Sequence, residues 1–254
     1  SYSVTGVQTC ALPILDIDRK MGALRAAKDQ IQSTFVPGVL HEHGAFGGVF
    51  SLAAAGLGQG ILVASTDGVG TKVRVARAMG RFDTVGQDLV NHCVNDILVQ
   101  GARPLFFLDY VAMGKLEPQV VAGLLEGLVL ACRAHGMALL GGETAEMPGV
   151  YGGGDFDLVG TIVGIVPEGG LVTGREVRPG DRLLALPSTG LHTNGYSLAQ
   201  KVLFGVAGLR PDDRAQGLAG TVGEALLAVH RSYLHAVAPL DRKSTRLNSS
   251  HRIR

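Results

Sequence analysis

Apolar residues along the chain recur with two different spacings, which predict strands that alternate with helices. A continuous apolar run over 61–65 predicts a buried strand. The spacing over 73–79 and over 84–100 instead predicts two helices, each followed by a glycine. A second apolar run over 104–112 predicts another strand, which we expect to be buried on both faces.

The pattern continues in a strongly amphipathic helix over 118–135, with Pro118 at its start and Gly136 beyond its end. Its predicted apolar stripe consists of Val121, Leu125, Leu128 and Cys132. Two more strands are predicted over 137–140 and 157–166. Strands that alternate with helices in this way indicate a mixed α/β, or α+β, domain.

The pattern breaks near 167–170, where we place a domain boundary between 15–168 and 169–240. The elements predicted beyond it are a strand over 182–186, a helix through Val202 and a helix over 222–237. This second unit is too short to close a core of its own, so we expect an incomplete second α/β domain.

The two ends of the chain are related to each other through their codons. One choice of codons for residues 4–14 gives DNA whose reverse complement encodes residues 241–251, with all eleven amino acids matched. Such a match is very improbable by chance, and the DNA resembles a sequencing adapter read in both directions. We therefore expect 1–14 and 241–254 to be adapter-derived, and we leave them out of the fold prediction.

Charge and composition exclude several classes of partner. Without residues 241–254 the formal net charge changes from +1 to −3, and neither value indicates a nucleic-acid or anionic-membrane surface. Trp is absent, which argues against a base-stacking platform, and no apolar run is long enough to span a bilayer. Cys10, Cys93 and Cys132 form no CxxC pair. We therefore expect a cytoplasmic protein without nucleic-acid or membrane partners.

The segment Asp67-Gly-Val-Gly-Thr-Lys72 lies where a predicted strand turns into a helix. The strand end directs Asp67 outward, Gly68 and Gly70 allow an anion to approach the backbone, and the helix N-terminus favours negative charge. A phosphate beside Asp67 requires a cation between them, for which Mg²⁺ is suited, and Lys72 would neutralise phosphate charge. An ordinary Asp–Gly turn before a helix explains the motif equally well on its own.

The helix predicted over 84–100 carries Asp88, His92 and Asp96 at i, i+4 and i+8, with Asn91 and Asn95 beside them. These groups share one face, which we interpret as the lining of a ligand cleft rather than a solvated face, because a solvated face usually carries Lys and Glu. By itself, we expect His92 to be a surface residue or a partner of a ligand rather than a ligand.

Three glycine-containing segments are further candidates. The segment 141–149 follows a strand and carries Glu143 and Glu146 on a predicted loop, either as metal or ribose ligands or as ordinary acidic residues. The segment 44–48 either folds over a ligand or serves as a linker. The segment 188–195 offers hydroxyls, an imidazole and an amide, which would bind substrate phosphate or cap a helix.

Together, five blocks resemble the phosphoribosylformylglycinamidine cyclo-ligases, the aminoimidazole ribonucleotide synthetases of purine biosynthesis. The blocks are 65–72, 94–101, 104–110, 141–148 and 190–197, and the resemblance runs from Asp16 to Leu240. It implies an ATP- and Mg²⁺-dependent ring closure of formylglycinamidine ribonucleotide, a small-molecule substrate. It also implies a ferredoxin-like N-terminal domain whose sheet joins that of a second copy as a dimeric barrel, in a homodimer.

The resemblance also implies residue roles. The implied ATP-binding residues are Gly44, Gly47, Asp67, Gly68, Gly70, Thr71, Lys72, Asn95, Asp96, Gly142, Glu143 and Thr144. Asp67 and Asp96 would hold the metal, and Lys72 and His192 would be catalytic. The implied substrate-binding residues are Ser188, Thr189, Gly190, His192 and Asn194.

Three features separate the chain from the family pattern. Family members usually carry small or apolar residues at positions 91 and 92, so Asn91 and His92 inherit no role, and the segment 41–47 is poorer in glycine than its counterparts. The family's second domain continues past the position of Leu240, so we expect a fragment. Two alternatives therefore stay open, a non-catalytic nucleotide-binding dimerisation module and another ATP-dependent phosphotransferase of the same superfamily.

Overall fold

The computed structural model describes Ser33, residues 36–40 and residues 48–239. The residues from Val36 onward belong to one compact unit. Its strands are β1 (Gly48–Ser51), β2 (Ile61–Gly68), β3 (Arg103–Met113), β4 (Ala138–Glu146) and β5 (Phe156–Val166). Its helices are α1 (Lys72–Met79), α2 (Asp83–Leu98), α3 (Pro118–Ala134), α4 (Tyr196–Gln200) and α5 (Val222–Leu226), and α4 continues into a π-helical turn, Lys201–Val206. None of these helices is long and apolar enough to cross a membrane.

The five strands form one mixed sheet in the order β1-β2-β5-β3-β4. The pairing of β3 with β4 is parallel, because the chain crosses over through α3 between them, and the other three pairings are antiparallel. Along β5, buried and half-buried residues alternate, so one face of the sheet is fully covered and the other is not. The mixed α/β class predicted from the sequence is confirmed by this sheet.

Helices α2 and α3 pack against each other through two glycines. A Cβ atom at Gly127 would lie 2.0 Å from the carbonyl oxygen of Asp83, and one at Gly86 would lie 2.4 Å from that of Leu124. The backbones of α2 and α3 are therefore in direct contact, and a side chain at either glycine would push the helices apart. On the sheet side, Gly160 leaves room for the ring of Phe107, which fills the space beneath α2.

The structure corrects two details of burial. On α3 the buried residues are Val120, Leu124, Gly127, Leu128, Ala131 and Cys132. The buried face of α3 is therefore rotated about the helix axis relative to the predicted stripe, and Leu125 of that stripe is 37% exposed. The buried face has this orientation because Gly127 must face α2. The prediction that β3 is buried on both faces is also wrong, because α2 covers Phe107 completely while Leu108, on the other face, is 37% exposed.

Beyond residue 166 the sequence predictions fail more often. The strand predicted over 182–186 is absent, and Leu183 is 95% exposed, because no other strand of the described residues pairs with this segment. The helix predicted over 222–237 is broken after Leu226 and resumes only at Leu234. The intervening backbone instead bonds to the side chains of Asn91 and Asn95. The domain boundary near 167–170 stays a prediction.

Candidate functional site

The end of β2 places Asp67 on the face of the sheet that α2 covers. Residues 61, 63, 65 and 67 point to that face, because successive side chains of a strand alternate. Val63 is fully buried there, whereas the side chain of Asp67 is 45% exposed at the rim. The loop to α1 is anchored by the buried Val69 and turns at Gly70, which has a φ of 58°. An acid and a glycine turn therefore meet at the surface.

Helix α2 brings two further groups to Asp67. The Nε2 atom of His92 lies 2.9 Å from Asp67 Oδ2 and 3.8 Å from Asp96 Oδ1. Ser65 donates a hydrogen bond of 3.1 Å to Asp96 Oδ2 and so holds the second carboxylate in place. The ligand atoms of Asp67, His92 and Asp96 all lie within 4.8 Å of one another.

The charges of this cluster depend on one another. Burial raises the pKa of Asp96, and the neighbouring charge of Asp67 raises it further, while His92 and Ser65 lower it. Burial alone would lower the pKa of His92, but the hydrogen bond and charge of Asp67, together with the charge of Asp96, raise that pKa overall. The imidazole and the carboxylates thus stabilise each other's charged forms.

The donor set of the cluster fits a divalent cation. Carboxylate oxygens suit Mg²⁺ and Mn²⁺, and imidazole nitrogen is a further ligand for the first-row metals. Two carboxylates that lie this close together repel each other, and a cation between them removes the repulsion. Asp67 and Asp96 are therefore the residues that would hold the ion, and His92 lies beside them.

Lys72 lies beneath the glycine turn rather than at the surface. Its ammonium lies 2.7 Å from Asp88 Oδ2, and both side chains are 0% exposed. It also donates hydrogen bonds to the carbonyl oxygens of His192 at 3.1 Å and Ala228 at 2.8 Å. Burial lowers the pKa of Lys72 and raises that of Asp88 to about 6. In this position Lys72 does not form the phosphate contact that we expected from the sequence.

The segment 188–195 approaches both the glycine turn and α2. A Cβ atom at Gly70 would lie 3.9 Å from the Thr193 carbonyl oxygen, and Thr193 Oγ1 lies 2.5 Å from His92 Nδ1. Just beyond the segment, Ser197 Oγ lies 3.0 Å from Thr71 Oγ1. His192 has a φ of 59°, a left-handed conformation that is uncommon for a residue with a Cβ atom. Ser188, Gly190 and Asn194 are exposed along the same segment.

His192 is fixed in two ways. Its ring stacks on that of His230 with 4.0 Å between the ring centroids, and its Nε2 atom accepts a hydrogen bond of 3.2 Å from the Thr189 backbone. Burial lowers the pKa of His192, and the positive charge of Lys72 lowers it further. The imidazole is therefore neutral near pH 7, with Nδ1 assigned as the protonated nitrogen.

Other predicted site residues are not brought to Asp67. Asn95 donates hydrogen bonds to His230 Nε2 and to the Arg231 carbonyl, so its amide holds the backbone near residue 230. Gly142, Glu143 and Thr144 belong to β4, which is a strand and not the predicted loop. Since Asp67 pairs with Gly160, Gly160 with Asp109 and Asp109 with Gly142, these residues lie three strands away, roughly 14 Å. Gly44 and Gly47 lie outside the described residues.

Two residues to which the resemblance assigned no role, His92 and Thr193, meet beside the cluster. The i, i+4 spacing placed His92 on the same helix face as Asp96, in the predicted lining of a ligand cleft. Thr193 belongs to the candidate segment 188–195, but nothing in the sequence indicated its contact with His92, which joins residues 101 positions apart.

A cavity of about 1550 Å³ lies elsewhere, between the end of α2, residues 165–172 and residues 233–238. Leu184 and Leu186, from the segment without a strand partner, line part of it. Asp67, His92 and Asp96 do not line it, so it offers no carboxylate pair for a nucleotide-bound cation.

Comparisons with known proteins decide the family. Residues 51–166 match the family model described as AIR synthase related protein, N-terminal domain. A phosphoribosylformylglycinamidine cyclo-ligase from Desulfatibacillum aliphaticivorans is 50% identical over 242 residues, which cover 95% of this chain and 67% of the relative. The chain belongs to the phosphoribosylformylglycinamidine cyclo-ligase family.

The similarity to the cyclo-ligase family extends over most of the chain, but the chain spans slightly less than two thirds of the length of several relatives. The cyclo-ligase from Alkaliphilus metalliredigens (strain QYMF) is 46% identical over 223 residues, which cover 88% of this chain and 64% of that protein. Among solved structures, thiamine-monophosphate kinase from Stenotrophomonas maltophilia K279a is 19% identical, with a TM-score of 0.55, over 87% of this chain and 64% of that chain. That likeness is one of fold alone.

Proposed function

We propose that this chain carries the nucleotide and cation site of an enzyme that closes formylglycinamidine ribonucleotide to aminoimidazole ribonucleotide with ATP, in purine biosynthesis. One observation carries the proposal. The carboxylates of Asp67 and Asp96 converge beside a glycine turn and a helix N-terminus, and the backbone of Thr193, in the segment 188–195, approaches Gly70 of the same turn. Membership of the cyclo-ligase family supports the choice of reaction.

The reaction consists of a phosphoryl transfer followed by ring closure at the formyl carbon. The formyl oxygen of the substrate attacks the γ-phosphorus of ATP, so an O–P bond forms, the bond from this phosphorus to the bridging oxygen of ADP breaks, and ADP leaves. A nitrogen of the amidine then attacks the formyl carbon, the C–O bond to phosphate breaks, and the nitrogen gives up a proton as the imidazole forms. Both steps depend on positioning and on neutralising phosphoryl charge.

The residues of the chain would divide this work. Asp67 and Asp96 hold the cation, which neutralises phosphoryl charge when bound. Backbone N–H groups at Gly70 and Thr71, at the start of α1, would face the phosphates. The N–H group of Gly68 donates to Asp67 Oδ1 in this structure and would have to leave it to join them. The side chain of Thr71 makes no capping hydrogen bond to this helix, so it does not compete with an anion for those groups.

The substrate would lie along the exposed segment 188–194, with Ser188, Thr189, Gly190 and Asn194 in contact with it. We propose His192 as the acid or base, because its neutral imidazole suits proton transfer near pH 7. Lys72 positions this segment by holding the carbonyl of His192. For Lys72 to contact a phosphate directly, its side chain would have to leave Asp88.

We further propose the cytoplasm as the compartment, and a homodimer in which two ferredoxin-like domains join their sheets as a barrel. The two described cysteines, Cys93 and Cys132, are buried and unpaired, which suits a reducing compartment. The sheet face opposite the helices is apolar and incompletely covered, with Leu108 37% exposed and Leu140 63% exposed. Sedimentation equilibrium that gives a monomer at micromolar concentration would contradict the dimer.

The activity is tested by incubating the 254-residue chain with formylglycinamidine ribonucleotide, ATP and Mg²⁺ and measuring both ADP and aminoimidazole ribonucleotide. Equal amounts of the two products support the proposal. Binding of ATP without turnover supports the nucleotide-binding dimerisation module, and release of ADP with another acceptor but without the imidazole supports a phosphotransferase.

The site is tested separately through Asp67. We expect Asp67→Ala to weaken binding of ATP–Mg²⁺ at least tenfold, because removal of one carboxylate leaves the cation with half of its charged ligands. Asp212→Ala is the matched control, since Asp212 is an exposed acid outside the cluster. Unchanged ATP–Mg²⁺ affinity in Asp67→Ala would refute the site assignment.

A further inference from the structure

His92 lies between the two carboxylates that we assign to the cation, and one of its ring nitrogens points at both. Nε2 lies 2.9 Å from Asp67 Oδ2 and 3.8 Å from Asp96 Oδ1. His92 and Asp96 occupy successive turns of α2, so their relative position is fixed by the helix. An ion that contacts both carboxylates therefore lies within reach of Nε2.

The other ring nitrogen of His92 has a built-in partner. Nδ1 lies 2.5 Å from the hydroxyl of Thr193, a residue that is only 5% exposed. Without an ion, Nε2–H donates to Asp67, while Nδ1 accepts from Thr193 if the ring is neutral and donates to it if the ring is charged. With an ion, Nε2 offers its lone pair and the ring carries its proton on Nδ1, which donates to Thr193 Oγ1. A hydroxyl serves in both states because it donates and accepts, and such outer partners orient the histidine ligands of metals.

We propose that His92 is a third protein ligand of the ion held by Asp67 and Asp96, and that it gives the site a preference for Mn²⁺ over Mg²⁺. This inference rests on the cation site of the proposed function. Oxygen ligands alone suit either ion. An imidazole nitrogen in the ligand set favours Mn²⁺, because Mn²⁺ accepts nitrogen ligands more readily than Mg²⁺. Mg²⁺ exchanges its bound water for nitrogen poorly. The remaining positions stay available to phosphate oxygens and water.

The test measures Mn²⁺ bound to the whole chain without nucleotide. Electron paramagnetic resonance titration gives the affinity, competition with Mg²⁺ gives the selectivity, and pulsed measurements detect coupling of the ion to ¹⁴N. We expect ¹⁴N coupling in the natural sequence, replaced by ¹⁵N coupling when the protein is made with ¹⁵N-labelled histidine. The labelled protein tests the ligand without any substitution.

Variants then assign the nitrogen to one residue. We expect His92→Leu to lose the coupling and to lower the ratio of Mn²⁺ to Mg²⁺ affinity about tenfold or more. His235→Leu is the control, because it removes an imidazole that lies outside the cluster, and both measurements should stay unchanged. Thr193→Val should keep the coupling but weaken Mn²⁺ binding roughly tenfold, since only the outer partner is lost. Circular dichroism of each variant establishes that it is folded.

Absence of nitrogen coupling in the natural sequence, or coupling that persists in folded His92→Leu, would overturn the inference. Mn²⁺ binding that is unchanged in Asp67→Ala would overturn both this inference and the cation site of the proposed function. A chain that binds Mn²⁺ through His92 but forms no imidazole product refutes the proposed reaction and leaves the inference standing.

Discussion

The ammonium of Lys72 and the carboxylate of Asp88 form an ion pair of 2.7 Å that is closed off from solvent. Asp88 also accepts a hydrogen bond of 2.7 Å from the backbone of His230, and Lys72 bonds to the carbonyls of His192 and Ala228. The pair therefore joins α1 and α2 to two segments more than a hundred residues further along the chain.

We predict that breaking this pair is costly whichever partner is removed. Lys72→Met and Asp88→Asn should each lower the free energy of unfolding by about 3–5 kcal/mol, because each leaves a buried group without its partner. The double variant should cost much less than the sum of the two. Urea-induced unfolding of the four proteins measures the coupling.

The exposed pair between Arg81 and Asp83 provides the control, with 3.9 Å between its charged atoms and both side chains more than a third exposed. Arg81→Met should cost less than about 1 kcal/mol. Equal losses in Lys72→Met and Arg81→Met, or strictly additive losses in the double variant, would show that the buried pair is not coupled.

The contact of α2 with α3 gives a second prediction. Gly127→Ala should destabilise the protein by about 3 kcal/mol, because the new methyl group would lie 2.0 Å from the Asp83 carbonyl and the helices must separate. Gly205→Ala is the matched control, since a methyl group there meets nothing within 4 Å. Thermal unfolding monitored by circular dichroism compares the two, and a Gly127→Ala protein as stable as the control would show that the helices yield easily.

A third prediction concerns acid sensitivity and His135. Its Nε2 atom lies 2.7 Å from Asn91 Oδ1, and its buried Nδ1 has no hydrogen-bond partner among the described residues. Burial, aided by the charge of His235, lowers the pKa of His135 to about 4. In the unfolded chain the pKa of this histidine is about 6.5, so between pH 6.5 and pH 4 the unfolded chain binds a proton that the folded protein does not. The contribution of His135 to the free energy of unfolding is therefore full above pH 6.5 and is lost as the pH falls towards 4.

Between pH 7 and pH 5, the unsubstituted protein should lose ~1–2 kcal/mol of unfolding free energy because of His135. We expect His135→Gln not to show this part of the loss. Urea unfolding at both pH values measures the difference. Glu126→Gln, on the exposed face of α3, which ends just before His135, should keep the pH dependence of the unsubstituted protein. The assignment fails if the two variants have the same slope of unfolding free energy against pH.

Much of the core domain is readable from local sequence. The apolar run over 61–65, followed by an acid and two glycines, predicted that a buried strand delivers Asp67 to a turn, and the structure has that arrangement. The spacing on α2 predicted that Asp88, His92 and Asp96 share a face. It did not predict that Asp88 turns inward to Lys72 while Asp96 meets Ser65 and lies near His92.

The predictions that failed depend on distant partners. The segment 182–186 has the apolar pattern of a strand, yet a strand requires a neighbouring strand, and none of the described residues supplies one. The ATP-binding role that the family resemblance implies for Glu143 stays a prediction. The sequence did not indicate its distance from Asp67, because the crossover through α3 places β4 at the far edge of the sheet, with β5 and β3 between Glu143 and Asp67.

By itself, the sequence determined most of the helices and strands between residues 61 and 166, because these follow from periodicities of 3.6 and 2.0 residues and from glycine and proline. Only the tertiary structure decided that His92 and Asp67 meet, that Thr193 supports His92, and that Lys72 is closed off beneath the turn. The physical reason is that these contacts join residues far apart in the chain. Such contacts depend on strand order and on the packing of α2, which local periodicity does not specify.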